Sequence, residues 1–397
     1  MKRVISLFMC TVLLLNMLVI SVFASGVEDN ESDLNIGGSV IDVDGPEVSA
    51  KSALLMDADT GTVLYTKNAS EALPPASVTK IMTLLLVAEA LDDGLITADQ
   101  KVMISANAAS MGGSQIFLSE GEEFTVDELL KSTVIASAND AAVALAELIC
   151  GNEGAFAKRM NERASELGMK NTVFENATGL DDTVTNHVTS AYDIALMSRE
   201  LIKHDSVTKY SNIWQDSIRD GEFVLTNTNR LVRYYDGCTG LKTGSTDKAG
   251  FCVSATAKRD GMHLIAVIMG SESREERNNA ARALLDYGFS NYALYKDAEC
   301  ELERIPVLCG KKDEISVYSE HFSRLISKSD KNKVEKFYNL PEALTAPLKC
   351  GDVVGEIVYK IGETELGKTN VVIREDVERV KVWDLFGRIL RCILIGK

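Results

Sequence analysis

Histidine is scarce in this 397-residue chain: four residues, at 187, 204, 263 and 321, with no spacing that sets two of them on one metal. No Cys-x-x-Cys occurs either, so neither a protein-bound metal nor another cofactor is expected. Of eight cysteines, Cys10 falls in the N-terminal apolar run; the others stand at 150, 238, 252, 300, 309, 350 and 392. An odd number without close pairing excludes a disulfide framework and points to small buried hydrophobes. Positive charge is also short, with 42 Lys and Arg against 58 Asp and Glu, a formal charge of -16. With no basic aromatic-rich segment to override it, that balance argues against a nucleic-acid partner. A content of 46% hydrophobic and 25% charged residues excludes a largely disordered chain.

The two ends differ from the rest. Lys2 and Arg3 precede an apolar run over 4–23, interrupted only by Ser6, Thr11, Asn16 and Ser21 and followed by Ala24-Ser25-Gly26. Basic start, apolar middle and small residues predict a signal peptide, 1–24, cut after Ala24. A retained membrane span is the alternative, and either reading places the remainder outside the cytoplasm. Residues 25–47, acidic and rich in Gly, Ser and Asp, are expected to be a flexible leader. At the other end, Lys381, Asp384, Arg388 and Arg391 recur on one helical face of 377–397, with Trp383, Phe386, Ile389 and Leu390 among the apolar residues covering the rest. That pattern predicts an amphipathic helix on a membrane surface, the alternative being a helix packed on the preceding domain.

Between the ends, the apolar period predicts a hairpin over 52–57 and 62–66 around Asp59-Thr60-Gly61, and a second over 251–258 and 262–269 around Arg259-Asp260-Gly261. Helices are expected after Pro75 and over 126–133, 140–150, 155–167, 190–203 and 274–287. Strands at both ends with helices between them predict an α/β (α+β) domain, 48–290: an antiparallel sheet with helices on both faces plus a helical lobe. Short strand-like runs at 315–318, 333–338, 353–361 and 366–373 predict a small all-β domain, 291–376.

Chemistry concentrates in Pro74-Pro75-Ala76-Ser77-Val78-Thr79-Lys80, which runs into the apolar segment 81–91. The prolines stiffen the approach, and Ser77 falls near a helix N-terminus, where free N–H groups favour a developing negative charge. Lys80, three residues on, shares its face, and a lysine depressed by burial or cationic neighbours can take a serine proton. Alone this proves little: Ser206 to Lys209 repeats the same tetrapeptide, Ser-Val-Thr-Lys, and Ser245 to Lys248 is a third Ser-x-x-Lys. What selects Ser77 is the order of two further motifs, Ser137-Ala138-Asn139 at a break between helices and Lys242-Thr243-Gly244-Ser245 before the second hairpin.

Ordered in this way, the three motifs resemble those of the serine D-alanyl-D-alanine carboxypeptidases, the low-molecular-mass penicillin-binding proteins of bacterial cell-wall maturation. The likeness covers about 48–376 and includes Asn176-Ala177-Thr178-Gly179-Leu180-Asp181-Asp182 and His187-Val188-Thr189-Ser190-Ala191-Tyr192-Asp193, with Ala177 standing where that family usually has proline. The resemblance implies a DD-peptidase/β-lactamase-like fold, peptidoglycan stem peptides as substrate and β-lactam antibiotics as covalent inhibitors. It implies that Ser77 attacks the carbonyl of the penultimate D-alanine with Lys80 as base, Ser137 as proton relay, and Asn139 touching both the substrate amide and Lys80. Lys242 would add positive charge on the opposite wall, Thr243 would contact substrate, and Gly244 would let the substrate backbone approach. The amides of Ser77 and Ser245 would form the oxyanion hole, and Arg277 would take the terminal carboxylate, with Arg274 the competing assignment.

Two other functions share these residues. A β-lactamase needs a deacylating base, for which Glu175 offers itself; a wall-binding scaffold needs no nucleophile at all. His187 and Tyr192 are expected to pack at a helix start, and Cys238 to be a buried thiol rather than a reactive one.

Overall fold

The computed structural model describes residues 45–182 and 184–382. The expected signal peptide, all but the last three residues of the expected leader, and 383–397 of the expected amphipathic helix lie outside the described residues. The first domain starts as a hairpin, β1 (Ser52–Asp57) and β2 (Val63–Lys67). Its turn is closed by Asp57, whose carboxylate accepts from the Thr60 amide and hydroxyl. The second hairpin region supplies β3 (Cys238–Thr246), β4 (Gly250–Arg259) and β5 (Met262–Ser271). They assemble into one antiparallel sheet in the order β2-β1-β5-β4-β3, with Leu55 opposite Ala266 where the distant hairpins meet.

Both faces of that sheet are covered, which is why β1 is buried at every residue and its middle, 53–56, reads as an unbroken apolar run. Leu54, Met56, Ile265 and Val267 share one core with the helices α1 (Lys80–Asp92), α2 (Val126–Ile135), α3 (Asn139–Cys150), α4 (Glu153–Glu166) and α5 (Ala191–Leu201). Ala53, Leu55, Ala266 and Ile268 share the other with Ala281, Leu284 and Leu285 of α6 (Arg274–Asn291). Each Leu or Ile so enclosed stabilises the fold by about 1.5–3 kcal/mol. Helix starts are locally encoded: Thr125 and Glu128 form a reciprocal capping box, and Asn152, Ser190 and Ser273 each accept an amide of the first turn. Helix α1 has no polar face and lies inside the helical lobe, so its first residue is held on every side.

Beyond α6 the chain is β-rich, as expected, though with more strands than the apolar pattern shows. A six-stranded sheet includes Cys300–Leu308, Glu314–Ser319, Val353–Ile361 and Thr364–Ile373, and Tyr292–Asp297 pairs with Phe322–Ser327. Tyr359 stacks on Phe322 at 3.8 Å and donates to Asp297 at 2.7 Å. The sheet packing continues past the boundary expected at Asp376: Val377 bridges Leu348 and Arg379 bridges Gly310, so these residues are extended where a helix was expected to begin. Val377 is an apolar residue that this domain buries, which removes it from any exposed helix face. Among the described residues no helix is long and apolar enough to cross a membrane.

Candidate active site

A single 3-10 turn, Ala76–Thr79, carries Ser77 and feeds directly into α1. Lys80, the first residue of α1, is completely buried, and its Nζ lies 2.9 Å from Ser77 Oγ and donates to Thr178 O at 2.9 Å. Burial, and after it the charge of Lys242, holds the Lys80 amine well below the ordinary lysine range. Ala76 takes a left-handed φ of 49°, a conformation non-glycine residues adopt only where the surroundings enforce it.

Two glycines supply that enforcement. A Cβ on Gly179 would stand 1.9 Å from Ala76 O, and one on Gly244 would stand 2.7 Å from Ser77 N. The segment through Thr178 and strand β3 therefore clamp the serine turn from two sides by backbone alone. This changes the reading of Gly244, expected to make room for substrate: what approaches it is the protein's own Ser77 amide and Pro75 carbonyl. The Ser245 amide follows one residue on.

Ser137 joins α2 to α3 with a left-handed φ of 61° and receives a hydrogen bond from Lys242 Nζ at 2.8 Å. Lys242 is 1% exposed and also donates to Thr243 O at 3.0 Å. Burial and the neighbouring Arg277 charge bring Lys242 down to about 7. Thr243 donates its hydroxyl to Thr228 at 2.8 Å. Arg277, in the first turn of α6 and 3% exposed, donates from Nε and Nη2 to Asn278 Oδ1. Burial first, then the charges of Arg274 and Arg230, lower its guanidinium to about 10.

Ser77, Ser137, Thr243, Gly244, Ser245 and Arg277 line one cleft of about 150 Å³. Arg274 lines it too, but is exposed, so both candidate arginines face the same space from different depths. Asn139 departs from expectation. Its Nδ2 donates to Gly112 O at 2.7 Å and its Oδ1 is buried without a partner, while the Lys80 amine goes to Thr178 O instead of to Asn139. Ser114 and Thr228 also line the cleft and were not singled out from sequence. Ser114 is placed by α3, since the Asn139 amide donates to Ser114 O and the Asp140 carboxylate accepts the Ile116 and Leu118 amides. Gly112-Gly113 ahead of Ser114, and Asn227 and Asn229 around Thr228, were the available signals of turns.

The competing residues lie elsewhere or are occupied. Lys209 bonds Asp127 and Lys248 bonds Asp181 O, so neither alternative Ser-x-x-Lys brings its lysine to the cleft, although Ser245 itself lines it. Glu175 accepts the Thr185 and Asn186 amides and is absent from the cleft lining. His187 packs edge-on against Phe174 and goes further than packing. Its Nδ1 accepts the Glu175 amide, leaving Nε2–H to donate to Thr79 Oγ1 at 2.8 Å, which pins that segment to the serine turn. Burial lowers the His187 imidazole to about 4, so it stays neutral. Cys238 donates to Gly240 O, and burial raises its thiol to about 11, the behaviour of an unreactive cysteine. Among the described residues no cluster could hold a metal ion.

Known proteins share this arrangement of domains. Residues 39–273 match the family model for D-alanyl-D-alanine carboxypeptidase, and 289–379 match that of the penicillin-binding protein 5 C-terminal domain. The D-alanyl-D-alanine carboxypeptidase DacF of Bacillus subtilis is 46% identical over 338 residues, 83% of this chain and 86% of that protein. Penicillin-binding protein 5 of Haemophilus influenzae superposes with a TM-score of 0.72 at 31% identity, covering 85% of this chain and all of the other. Penicillin-binding protein D2 of Listeria monocytogenes, solved in an ampicillin-bound form, gives 0.57 at 32% identity over 62% of this chain and 100% of its own. With the serine turn, a helix break and a strand motif converging on one cleft, and with relatives alike along most of its length, the chain belongs to the D-alanyl-D-alanine carboxypeptidase family.

Proposed function

We propose that this chain is a penicillin-sensitive serine carboxypeptidase that removes the terminal D-alanine from peptidoglycan stem pentapeptides through an acyl-enzyme on Ser77. One observation carries the reading: Ser77 Oγ lies 2.9 Å from the amine of a fully buried lysine whose surroundings disfavour its charge. Neutral Lys80 takes the Ser77 proton as Oγ attacks the carbonyl carbon of the penultimate residue. The oxyanion then sits between the amides of Ser77 and Ser245, an arrangement worth about 3–4 kcal/mol of barrier in serine hydrolases. As the C–N bond breaks, the departing amine receives a proton through Ser137, which Lys242 holds in place. D-Alanine leaves, water adds to the acyl carbon with Lys80 accepting its proton, and Ser77 is released.

Binding groups surround those steps. Arg277 holds the substrate's free carboxylate, helped by the Thr243 hydroxyl, and the buried, unpaired Asn139 Oδ1 accepts the substrate amide N–H. The substrate class places the work outside the cytoplasm, in keeping with the export predicted from Lys2, Arg3 and the apolar run. β-Lactams acylate the same serine; the ampicillin-bound relative supports this. A β-lactamase reading is disfavoured by Glu175, whose oxygens are taken by backbone amides rather than free to activate water.

The test is mass spectrometry of the penicillin adduct, followed in time, alongside release of D-alanine from a stem pentapeptide. The expected adduct is on Ser77 and outlasts minutes, and Ser77→Ala loses both adduct and turnover, on the order of 10⁴-fold or more. An adduct that clears in seconds would make the protein a lactamase. Turnover equal in wild type and Ser77→Ala would make it a non-catalytic scaffold.

A further inference from the structure

A second cavity, about 310 Å³, adjoins the cleft, and Arg274 lines both. Arg230 and Arg282 complete a wall of three guanidinium groups, facing Tyr234, Asn278 and a single carboxylate, Glu275. Among the described residues none of the three guanidinium groups makes a salt bridge or a hydrogen bond, although the chain carries a formal charge of -16 and acids outnumber bases. Asn278 adds to the same polarity: with its Oδ1 engaged by Arg277, what it has left to offer is N–H. The charges of Arg230 and Arg274 reach the buried Arg277, so these side chains form one electrostatic group extending from the cleft. A concave site with unpaired guanidinium donors favours a planar acid.

Its position assigns it a side of the reaction. If Arg277 holds the carboxylate of the departing residue, a cavity reached past Arg274 lies on the leaving side, away from the acyl group that Ser77 retains. We propose that this second cavity is an anion subsite for the leaving group, receiving a second carboxylate borne by a departing residue larger than alanine. The inference rests on the carboxypeptidase reading and deepens it. The chemistry is unchanged: the amide C–N bond breaks, the departing amine gains the proton lost by Ser77, and water later cleaves the acyl ester. What differs is which amino acid departs.

The experiment compares three peptides identical up to the penultimate D-alanine and ending in D-Ala, D-Gln or D-Glu, with kcat/KM measured by release of the last residue. D-Gln matches D-Glu in shape without its charge. Wild type is expected to favour D-Glu over D-Gln by about tenfold. In Arg230→Gln/Arg282→Gln the ratio falls to about one, while D-alanine release stays within about twofold of wild type, which also reports that the variant is folded. Should the double variant fail to fold, Arg282→Gln alone is expected to lower the ratio about threefold. A wild-type ratio of one or less, or a ratio untouched by these substitutions, overturns the subsite. Absence of D-alanine release from the first peptide in wild type overturns the carboxypeptidase reading, and this inference falls with it.

Discussion

Ser-Val-Thr-Lys occurs twice in this molecule, at Ser77–Lys80 and at Ser206–Lys209, and the two copies share almost nothing but their letters. Val78 and Val207 are both fully buried, so both stretches are anchored by the same residue. The first copy is a 3-10 turn ahead of a helix sunk in the lobe; the second lies within the short helix Asp205–Ser211. Thr79 bonds a histidine from a distant segment, whereas Thr208 bonds the His204 carbonyl of its own helix. Lys80 meets Ser77, but Ser206 Oγ has no partner, and Lys209 reaches out to Asp127. Partial burial pulls Lys209 down, yet its bonds to Asp127 and Tyr210 leave it above the ordinary lysine value, opposite in direction to Lys80. The same side chain is thus disfavoured in its charged form at Lys80 and held charged at Lys209, by different dielectric and different neighbours.

The contrast is sharpest at the lysines. Lys80→Met is expected to lower kcat/KM for D-alanine release by about 10³-fold, whereas Lys209→Met changes it by less than about twofold and stability by less than about 1 kcal/mol. Comparable losses in both variants, measured on the same stem peptide, would mean that burial is not what separates the copies.

His187 distinguishes the surroundings of the two threonines. Its imidazole, neutral in the fold down to about 4 against an unfolded value near 6.5, makes the unfolded chain the better proton binder between those limits. Its contribution is therefore complete above the unfolded value and is lost as pH falls through the window, by roughly 3 kcal/mol in all. Denaturant unfolding of wild type and His187→Gln at pH 7 and pH 4.5 checks this. The wild type should lose stability over the interval that the variant does not; equal losses would dissociate the His187–Thr79 bond from the stability of the serine turn.

The gentlest probe is pH. kcat/KM should rise as Lys80 loses its proton, at a pH well below that of an ordinary lysine, then decline as Lys242 discharges near about 7, by about tenfold per unit on the steep part of each limb. An alkaline limb unmoved by Lys242→Arg would assign it to another group.

Much of this architecture was legible from local signals. Apolar runs around Asp59-Thr60-Gly61 and Arg259-Asp260-Gly261 marked both hairpins of the sheet, and apolar spacing placed helix starts at Val126 and Arg274, because those signals act over a few residues. Strand Cys300–Leu308 was not legible, since only Ile305 and Val307 of its nine residues are buried and alternation is lost. Tyr292–Asp297 was hidden because it follows α6 without a turn. In the site, the motif order pointed to the residues that share the cleft. It could not show that Asn139 turns to Gly112 O or that Ser114 and Thr228 line the wall, because those facts depend on contacts between segments 15 to 27 positions apart.

The backbone clamp around the serine turn limits what heredity can do here. At Gly179 and Gly244 a single added methyl would collide with main-chain atoms, so drift at either position displaces the Ser77 turn rather than adjusting it. A lineage living with β-lactams therefore has its freedom elsewhere, at side chains such as Thr228, Ser114 and Arg274 that border the cleft without bearing on the turn. The most vulnerable part of the molecule is also the part least open to revision.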